Sequence, residues 1–318
     1  MYLNRVFELS MTLDTDKFEE VFSQAYCGED YSDEEEYTDH SMASKGIMVK
    51  YRASQYKKKV KMLADVFTMT NGDVTDTDKF LRKLEKRINE YFDSCYRLED
   101  FTVSGLTLTT AIDVGSRENV AAYLHVLQRI GKVKGFSPVS FDGIDDDISF
   151  CLKGNSNATE FLIYDLEQMA AAQMEMAESS QKYKGILRAE AKLTKPKAIQ
   201  KYSVAYSTAD QIMELSKQCQ DIFAGIFAKV IPYGDFYKKK DAAEIIRKEV
   251  SDNVLKRRML RLLTLIPEKK SMLLAQKSMA YRHPDKLLLE FAKLNLSPVT
   301  ISKRQDVKLL PNLYEFIL

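Results

Sequence analysis

The chain has 318 residues, of which 45% are hydrophobic and 29% are charged. This is the composition of an ordinary globular protein, long enough for two compact domains. No apolar run approaches the roughly 18 residues that a membrane-spanning helix requires, and the first residues lack the apolar core of a signal peptide. The four cysteines have neither disulfide nor zinc spacing: Cys27, Cys95, Cys151 and Cys219. We therefore expect a protein of the cytoplasm with no membrane partner.

The net charge of +1 conceals an uneven distribution along the chain. Residues 181–318 contain 27 Lys and Arg against 14 Asp and Glu, a net charge of +13, and the remainder of the chain contains 20 against 32. A basic half favours a polyanionic partner such as nucleic acid, because Lys and Arg displace the counterions of phosphates. The alternative is that the charge separation improves solubility or allows the two halves to dock on each other.

Periodicity and capping residues predict six elements before residue 135. In chain order they are a strand over 3–13, a helix over 15–26, a strand over 46–51, a helix that begins at Asp76 or Thr77, a strand over 101–114 and a helix from Ser116 to Gly131. The acidic segment 28–40 is interpreted as an exposed loop. In the strand over 101–114, alternation places Asp113 on the polar face, together with Thr107, Thr109 and Ala111.

The second half begins with a predicted β-hairpin and continues into a basic helical region. The predicted elements are strands over 148–153, 160–164 and 186–193, and helices over 166–183 and near 208–230, 240–250, 252–265 and 284–294. We therefore predict an α+β fold. Residues 1–200 would form a mainly antiparallel sheet with helices on one face, and residues 201–318 a basic, mostly helical domain of winged-helix character.

No generic catalytic signature is present in the sequence. There is no Walker loop, Gly-x-Gly-x-x-Gly, His-Glu-x-x-His or Cys-x-x-Cys pattern, and only three histidines occur. Any catalysis would therefore depend on carboxylates, tyrosine or lysine.

Strand alternation suggests one candidate cluster on the polar face of the sheet. Asp113, Tyr164 and Glu190 would meet there, and Arg188 shares the face of Glu190. A carboxylate pair binds Mg2+ or Mn2+, and a tyrosine oxygen can attack a phosphodiester to form a covalent link. The alternative is that Tyr164, one of 17 tyrosines, serves packing at the end of a strand.

Three segments resemble the rolling-circle replication initiators of small bacterial plasmids and related phage and conjugative-element proteins. They are the stretch Ser156 to Asp165 ending in Ile-Tyr-Asp, the stretch Leu187-Arg188-Ala189-Glu190-Ala191-Lys192-Leu193, and Leu106 to Asp113. The resemblance implies that Tyr164 is the nucleophile of a DNA-nicking reaction and that Arg188 lies near the scissile phosphate. It further implies that Asp113 and Glu190 are ligands of Mg2+ or Mn2+. The third ligand stays open among Glu8, Glu160 and Glu167.

The same resemblance implies single-stranded or hairpin origin DNA as the substrate, and a host helicase and a second copy of the chain as further partners. Leu166 and Ala111 depart from the family pattern, which has lysine and arginine there. Loss of two cations weakens the stabilisation of charge in a phosphoryl-transfer transition state. Three hypotheses are therefore kept: an active nickase, a non-catalytic relative that binds nucleic acid or protein, and a protein-interaction module.

Overall fold

The computed structural model describes residues 2–25, 36–53, 57–141, 143–173, 181–279 and 281–317. The strands are β1 Asn4–Leu13, β2 Glu36–Asp39, β3 Ile47–Ala53, β4 Lys58–Asp65, β5 Thr102–Asp113, β6 Phe136–Pro138, β7 Ser149–Gly154, β8 Thr159–Asp165, β9 Ile186–Leu193, β10 Phe236–Tyr237 and β11 Leu309–Leu310. The helices are α1 Thr15–Ala25, α2 Val66–Thr70, α3 Thr77–Tyr91, α4 Arg117–Gln128, α5 Leu166–Gln173, α6 Pro196–Ile199, α7 Thr208–Val230, α8 Lys239–Glu249, α9 Asn253–Lys269, α10 Met272–Ser278, α11 Pro284–Lys293 and α12 Tyr314–Ile317. The α+β class predicted from the sequence is confirmed.

The chain forms two compact units, each assembled from separate segments. The first unit comprises Met1–Tyr2, Thr110–Ala191 and Phe223–Leu318, and the second comprises Leu3–Thr109 and Lys192–Ile222. Residue 200, where the sequence predicted a domain boundary, lies within the second unit. In the part of the chain that the structure describes, no helix is both long and apolar enough to cross a membrane.

The second unit contains the strand order β2-β3-β4-β1-β5, and its four neighbouring strand pairs are antiparallel. One face of these strands is buried beneath helices. Phe7 of β1 stacks on Phe80 of α3 with ring centroids 5.7 Å apart, and Tyr51 of β3 meets Phe18 of α1 edge-on at 6.0 Å. The prediction of helices on one face therefore holds in this unit. The alternate residues of β1, β3 and β4 lie on the opposite face and are partly exposed.

The first unit contains the strand order β5-β9-β8-β7-β6, with the end of β5 and most of β9 inside it. Val114 N–H donates to the Gly185 carbonyl at 2.9 Å, so this end of β5 lies beside the start of β9. The core on one side of β8 includes Phe161, which packs edge-on against Phe227 of α7 at 5.8 Å. The remaining helices α8 to α12 belong to this unit, together with the two-stranded pair β10–β11.

Capped elements agree closely with the sequence predictions. The Asp76 side chain accepts the Lys79 N–H at the start of α3, and the Ser116 side chain accepts the Asn119 N–H at the start of α4.

Several short elements were not predicted. Among them is β2, which occupies part of the segment interpreted as an acidic loop. Residues 28–35 of that segment lie outside the described residues. Helix α9 also continues to Lys269 and includes Pro267 in its final turn, beyond the end predicted at 265. The helix predicted over 166–183 is described as α5, and residues 174–180 lie outside the described part of the chain.

Candidate active site

Neighbouring strands β8 and β9 bring a tyrosine and a glutamate into contact. The Tyr164 hydroxyl donates a hydrogen bond to Glu190 Oε1 at 2.7 Å. Both residues are buried, with 7% of Tyr164 and 9% of Glu190 exposed. The carboxylate is thus within the distance at which a general base removes the proton of a nucleophile.

Arg188 lies two residues before Glu190 on the same strand, and alternation places the two side chains on one face. Its Nε atom is 3.5 Å from Glu190 Oε1, a charge contact longer than a good hydrogen bond. This Nε is buried and has no hydrogen-bond partner among the described residues. Buried donors in proteins are almost always hydrogen-bonded, so the unpaired Nε–H of Arg188 beside the tyrosine is unusual. A bound anion would accept a hydrogen bond from it.

The surroundings of Tyr164 hold its hydroxyl in the protonated form. Burial is the main cause and the negative charge of Glu190 the second, and together they raise the pKa of Tyr164 far above its ordinary value. Apolar side chains form a cover over the tyrosine face of β7 and β8, namely Val139, Phe141, Ile144, Leu166 and Met169. Leu166, which stands where the initiator family has lysine, is therefore part of this cover. Nucleophilic attack from this position requires a base and access for the substrate.

Asp113 is not part of the Tyr164–Glu190 cluster. It is exposed at the end of β5, and its carboxylate accepts the Gly115 N–H at 2.9 Å. The bond between Val114 and Gly185 fixes the register with β9, so Asp113 and Glu190 are about four residues apart along the strands, roughly 13 Å. At this distance the two carboxylates do not share a metal ion.

The carboxylates around the cluster do not form a ligand set for Mg2+ or Mn2+. Within the described ranges, no three His, Cys, Asp or Glu side chains are grouped so that they could hold a metal ion. The three further candidates each have a basic partner: Glu8 pairs with Lys61 at 3.0 Å, Glu160 with Lys153 at 3.4 Å, and Glu167 with Arg117. The described side chains around Tyr164 therefore do not supply three protein ligands for a metal ion.

Two polar contacts that the sequence did not predict hold the segment after Tyr164 in place. Asp165 caps α5, because its carboxylate accepts the Gln168 N–H at 3.0 Å and the Gln168 side-chain amide at 2.8 Å. The Arg117 guanidinium donates hydrogen bonds from two nitrogens to the Glu167 carboxylate, and the bond from Nε is 2.7 Å long. These bonds hold the pKa of Glu167 below its usual range. The acid after the tyrosine thus has a structural role that its position in a Tyr-Asp motif does not reveal.

The polar face of the second unit carries four cations on two paired strands. Lys50 lies directly opposite Lys61, and Arg52 directly opposite Lys59. We call these four residues the basic sheet face. Lys50 lies 3.5 Å from the Glu36 carboxylate, and Lys61 lies 3.0 Å from the Glu8 carboxylate. Arg52 and Lys59 have no ion pair with any described residue. Like charges directly across a strand pair are destabilising, so this arrangement favours an external polyanion.

No family model matches this chain, and no curated protein does either. The resemblance to rolling-circle initiators therefore stays a prediction, and the residues named above are what support it.

Proposed function

We propose that this chain is a rolling-circle replication initiator-like protein that binds origin DNA and nicks one strand through Tyr164. The hydrogen bond from the Tyr164 hydroxyl to Glu190 is the observation that carries the proposal. A buried phenol with a raised pKa is a poor nucleophile by itself, and a carboxylate 2.7 Å away is the group that activates it.

The proposed reaction forms one bond to phosphorus and breaks another. The Tyr164 oxygen attacks the phosphodiester while Glu190 takes the phenolic proton. The P–O bond to the leaving strand breaks, and the leaving oxygen takes a proton from water and departs as a free hydroxyl. The other strand stays linked to the protein as a phosphotyrosine. The buried Nε of Arg188, which has no hydrogen-bond partner among the described residues, is the donor available to the phosphate oxygens.

Binding of a strand is supported independently by the basic sheet face. Two of its four cations, Arg52 and Lys59, have no carboxylate partner in the described part of the chain. Cations without internal partners gain most from phosphates, because counterions are released when the strand binds. This surface would supply affinity without reading sequence.

Covalent capture tests the proposal most directly. The purified chain is incubated with a labelled single-stranded DNA library in Mg2+, in Mn2+ and in chelator, and denaturing gels are examined for protein–DNA adducts. We expect an adduct that Tyr164→Phe abolishes. The matched control is Tyr123→Phe, since Tyr123 is also a buried tyrosine of the first unit, donating to the Pro311 carbonyl at 2.7 Å. An adduct that survives Tyr164→Phe would exclude Tyr164 as the nucleophile, and the chelator arm tests the metal requirement implied by the resemblance.

A second candidate is a non-catalytic relative that binds nucleic acid or protein. The apolar cover over Tyr164 and the presence of Leu166 within it favour this candidate. Tight, salt-sensitive DNA binding with no adduct in any metal would support it. Absence of both binding and adduct would rule out the DNA hypothesis altogether.

A further inference from the structure

A cleft of about 600 Å3 lies in the first unit, and none of its described lining residues belongs to β8 or β9. It is lined by the C-terminal ends of two helices, α4 and α9, and by the turn that contains Ser302. Its volume is within the range of pockets that hold small-molecule ligands.

Three cations line this cleft without an acidic counterpart. They are Arg129, Lys270 and Arg304, and no carboxylate is among the described lining residues. None of the three forms an ion pair with any residue that the structure describes. Arg129 is half-buried, and its burial lowers the pKa of its guanidinium. Three like charges around one cavity repel one another, so an anion in the cavity would stabilise them.

The helix dipoles offset part of the positive charge around the cleft, but not all of it. Arg129 and Lys270 are the C-cap residues of α4 and α9, where cations offset the negative end of the helix dipole. Each helix end carries roughly half a negative charge, so the two ends together offset about one of the three cations. Arg304 belongs to no helix. A net charge of about +2 therefore faces the cavity.

Backbone hydrogen bonds join the segment after α4 to the start of α10, which directly follows α9. The Met272 N–H donates to the Ile130 carbonyl at 2.8 Å, and the Leu273 N–H donates to the Lys132 carbonyl at 2.9 Å. Gly131 has a positive φ of 56°, and a Cβ at this position would lie 2.3 Å from the Lys270 carbonyl oxygen. The backbones that carry Arg129 and Lys270 are thus fixed before any ligand arrives, which lowers the entropic cost of binding.

We propose that this cleft is a binding site for a polyphosphate anion, either the di- or triphosphate group of a nucleotide or successive phosphates of a nucleic-acid strand. Ser302 and His125 add further hydrogen-bonding groups to the lining. The guanidinium of Arg129 offers a planar fork to phosphate oxygens, and Lys270 and Arg304 add charge. The site does not depend on the chemistry proposed for Tyr164.

Calorimetry on the full chain tests the site with sodium tripolyphosphate and with ATP, and fluorescence anisotropy tests it with a short single-stranded oligonucleotide. The variant Lys270→Asn/Arg304→Gln removes two cations from the cleft, and asparagine tolerates the left-handed backbone of Lys270, whose φ is 47°. The matched control is Lys269→Gln/Lys303→Gln, which removes the same charge from exposed neighbours that are not lining residues. Thermal melting checks that each variant folds, and Arg129→Lys provides a variant that keeps the charge and removes the fork.

We expect the cleft variant to lose at least about tenfold in affinity and the control to stay near the unaltered chain. Loss of tripolyphosphate and ATP binding would identify a soluble ligand, whereas binding and loss confined to the oligonucleotide would identify strand phosphates. Equal losses in the cleft variant and its control would overturn the proposal, because the effect would then be general charge attraction. Absence of binding to all three probes would overturn it as well.

Discussion

The proton between Tyr164 and Glu190 determines what this pair of residues can do. Burial and the adjacent carboxylate keep the phenol protonated across the neutral range, so a free phenolate is not available for attack. In the proposed reaction, transfer of the proton to Glu190 in the transition state avoids this barrier. The proposal therefore requires a side chain at position 190 that accepts a proton, and a hydrogen-bonding side chain of the same shape would not be sufficient.

Replacement of Glu190 by glutamine tests this requirement. Glu190→Gln keeps a hydrogen-bond acceptor for the tyrosine and removes the base, so we expect the rate of adduct formation to fall by roughly a hundredfold or more, with DNA affinity retained. Glu160→Gln is the control, since Glu160 is a carboxylate of β8 that pairs with Lys153 instead. An unchanged rate in Glu190→Gln would show that Glu190 is not the base.

Strand alternation was sufficient to predict which side chains of β9 share a face, and the structure does bring Glu190 to Tyr164. It was not sufficient for Asp113, because alternation specifies the face of a strand but not the offset between neighbouring strands. That offset depends on hydrogen bonds such as the one between Val114 and Gly185. The apolar cover was also not predicted, because it combines a loop around Phe141 with the first turn of α5.

At the scale of elements, β4 shows why lysine-rich strands are difficult to predict. Its sequence, KKVKMLAD, contains a buried alternation of Val60, Met62 and Ala64 interrupted by cations on the other face. The cations lower the apparent hydrophobicity of the segment, although Lys59 and Lys61 lie on the face opposite the buried side chains. Helices such as α3 were easier, since a cap and three buried apolar residues at helical spacing identify them without any partner.

The basic sheet face on β3 and β4 gives a second prediction. Arg52→Gln/Lys59→Gln should weaken DNA binding and reduce the slope of log affinity against log salt by about 1.4 for a single strand. The free energy of unfolding should stay the same or increase, because a repulsive cross-strand pair is removed. Anisotropy titrations over a salt series and urea unfolding provide the two measurements.

The control for that surface is Arg82→Gln/Lys86→Gln. Both residues are exposed on α3 in the same unit, so the change in charge is identical while the strands are untouched. A salt slope that decreases equally in both double variants would show that the sheet face has no special role.

Gly131 gives a third prediction at the junction of α4 and α10. Alanine here would combine a positive φ of 56° with a Cβ 2.3 Å from the Lys270 carbonyl oxygen. We expect Gly131→Ala to lower the free energy of unfolding by about 1 to 3 kcal/mol, measured by urea denaturation. Gly143→Ala serves as the comparison, because its φ of 76° carries backbone strain with no atom within 4 Å of the added Cβ. Equal destabilisation by the two changes would mean that the close approach at Gly131 is unimportant.

At the scale of the whole molecule, the five described tyrosines whose pKa is raised most couple stability to alkaline pH. Burial is the main cause that raises the pKa of each of them, and they are Tyr51, Tyr91, Tyr123, Tyr164 and Tyr314. A raised pKa means that the folded state binds the proton more tightly than the unfolded state does. This contribution to stability is complete below the ordinary phenol pKa of about 10 and is lost as the pH rises above it.

We therefore expect the contribution of these tyrosines to the free energy of unfolding to be constant up to about pH 10. Above that pH the free energy of unfolding should fall, by up to about 1.4 kcal/mol per pH unit for each tyrosine. Urea unfolding followed by circular dichroism between pH 8 and pH 11 measures this slope. Tyr123→Phe should reduce the slope, because one such group is removed. A slope that Tyr123→Phe leaves unchanged would contradict the assignment of that tyrosine.

Helix α7 contributes residues to both units, since the second unit ends at Ile222 and the first resumes at Phe223. The consequence concerns how the protein can be divided in the laboratory. A truncation after residue 200 would remove Ile212 and Leu215, two fully buried side chains of the second unit, and would leave the first unit without Phe227. Neither fragment would then contain a complete hydrophobic core, so we expect both to be recovered as aggregates when expressed separately. Because α7 contributes to both units, selection for a folded protein acts on the intact gene and not on either half.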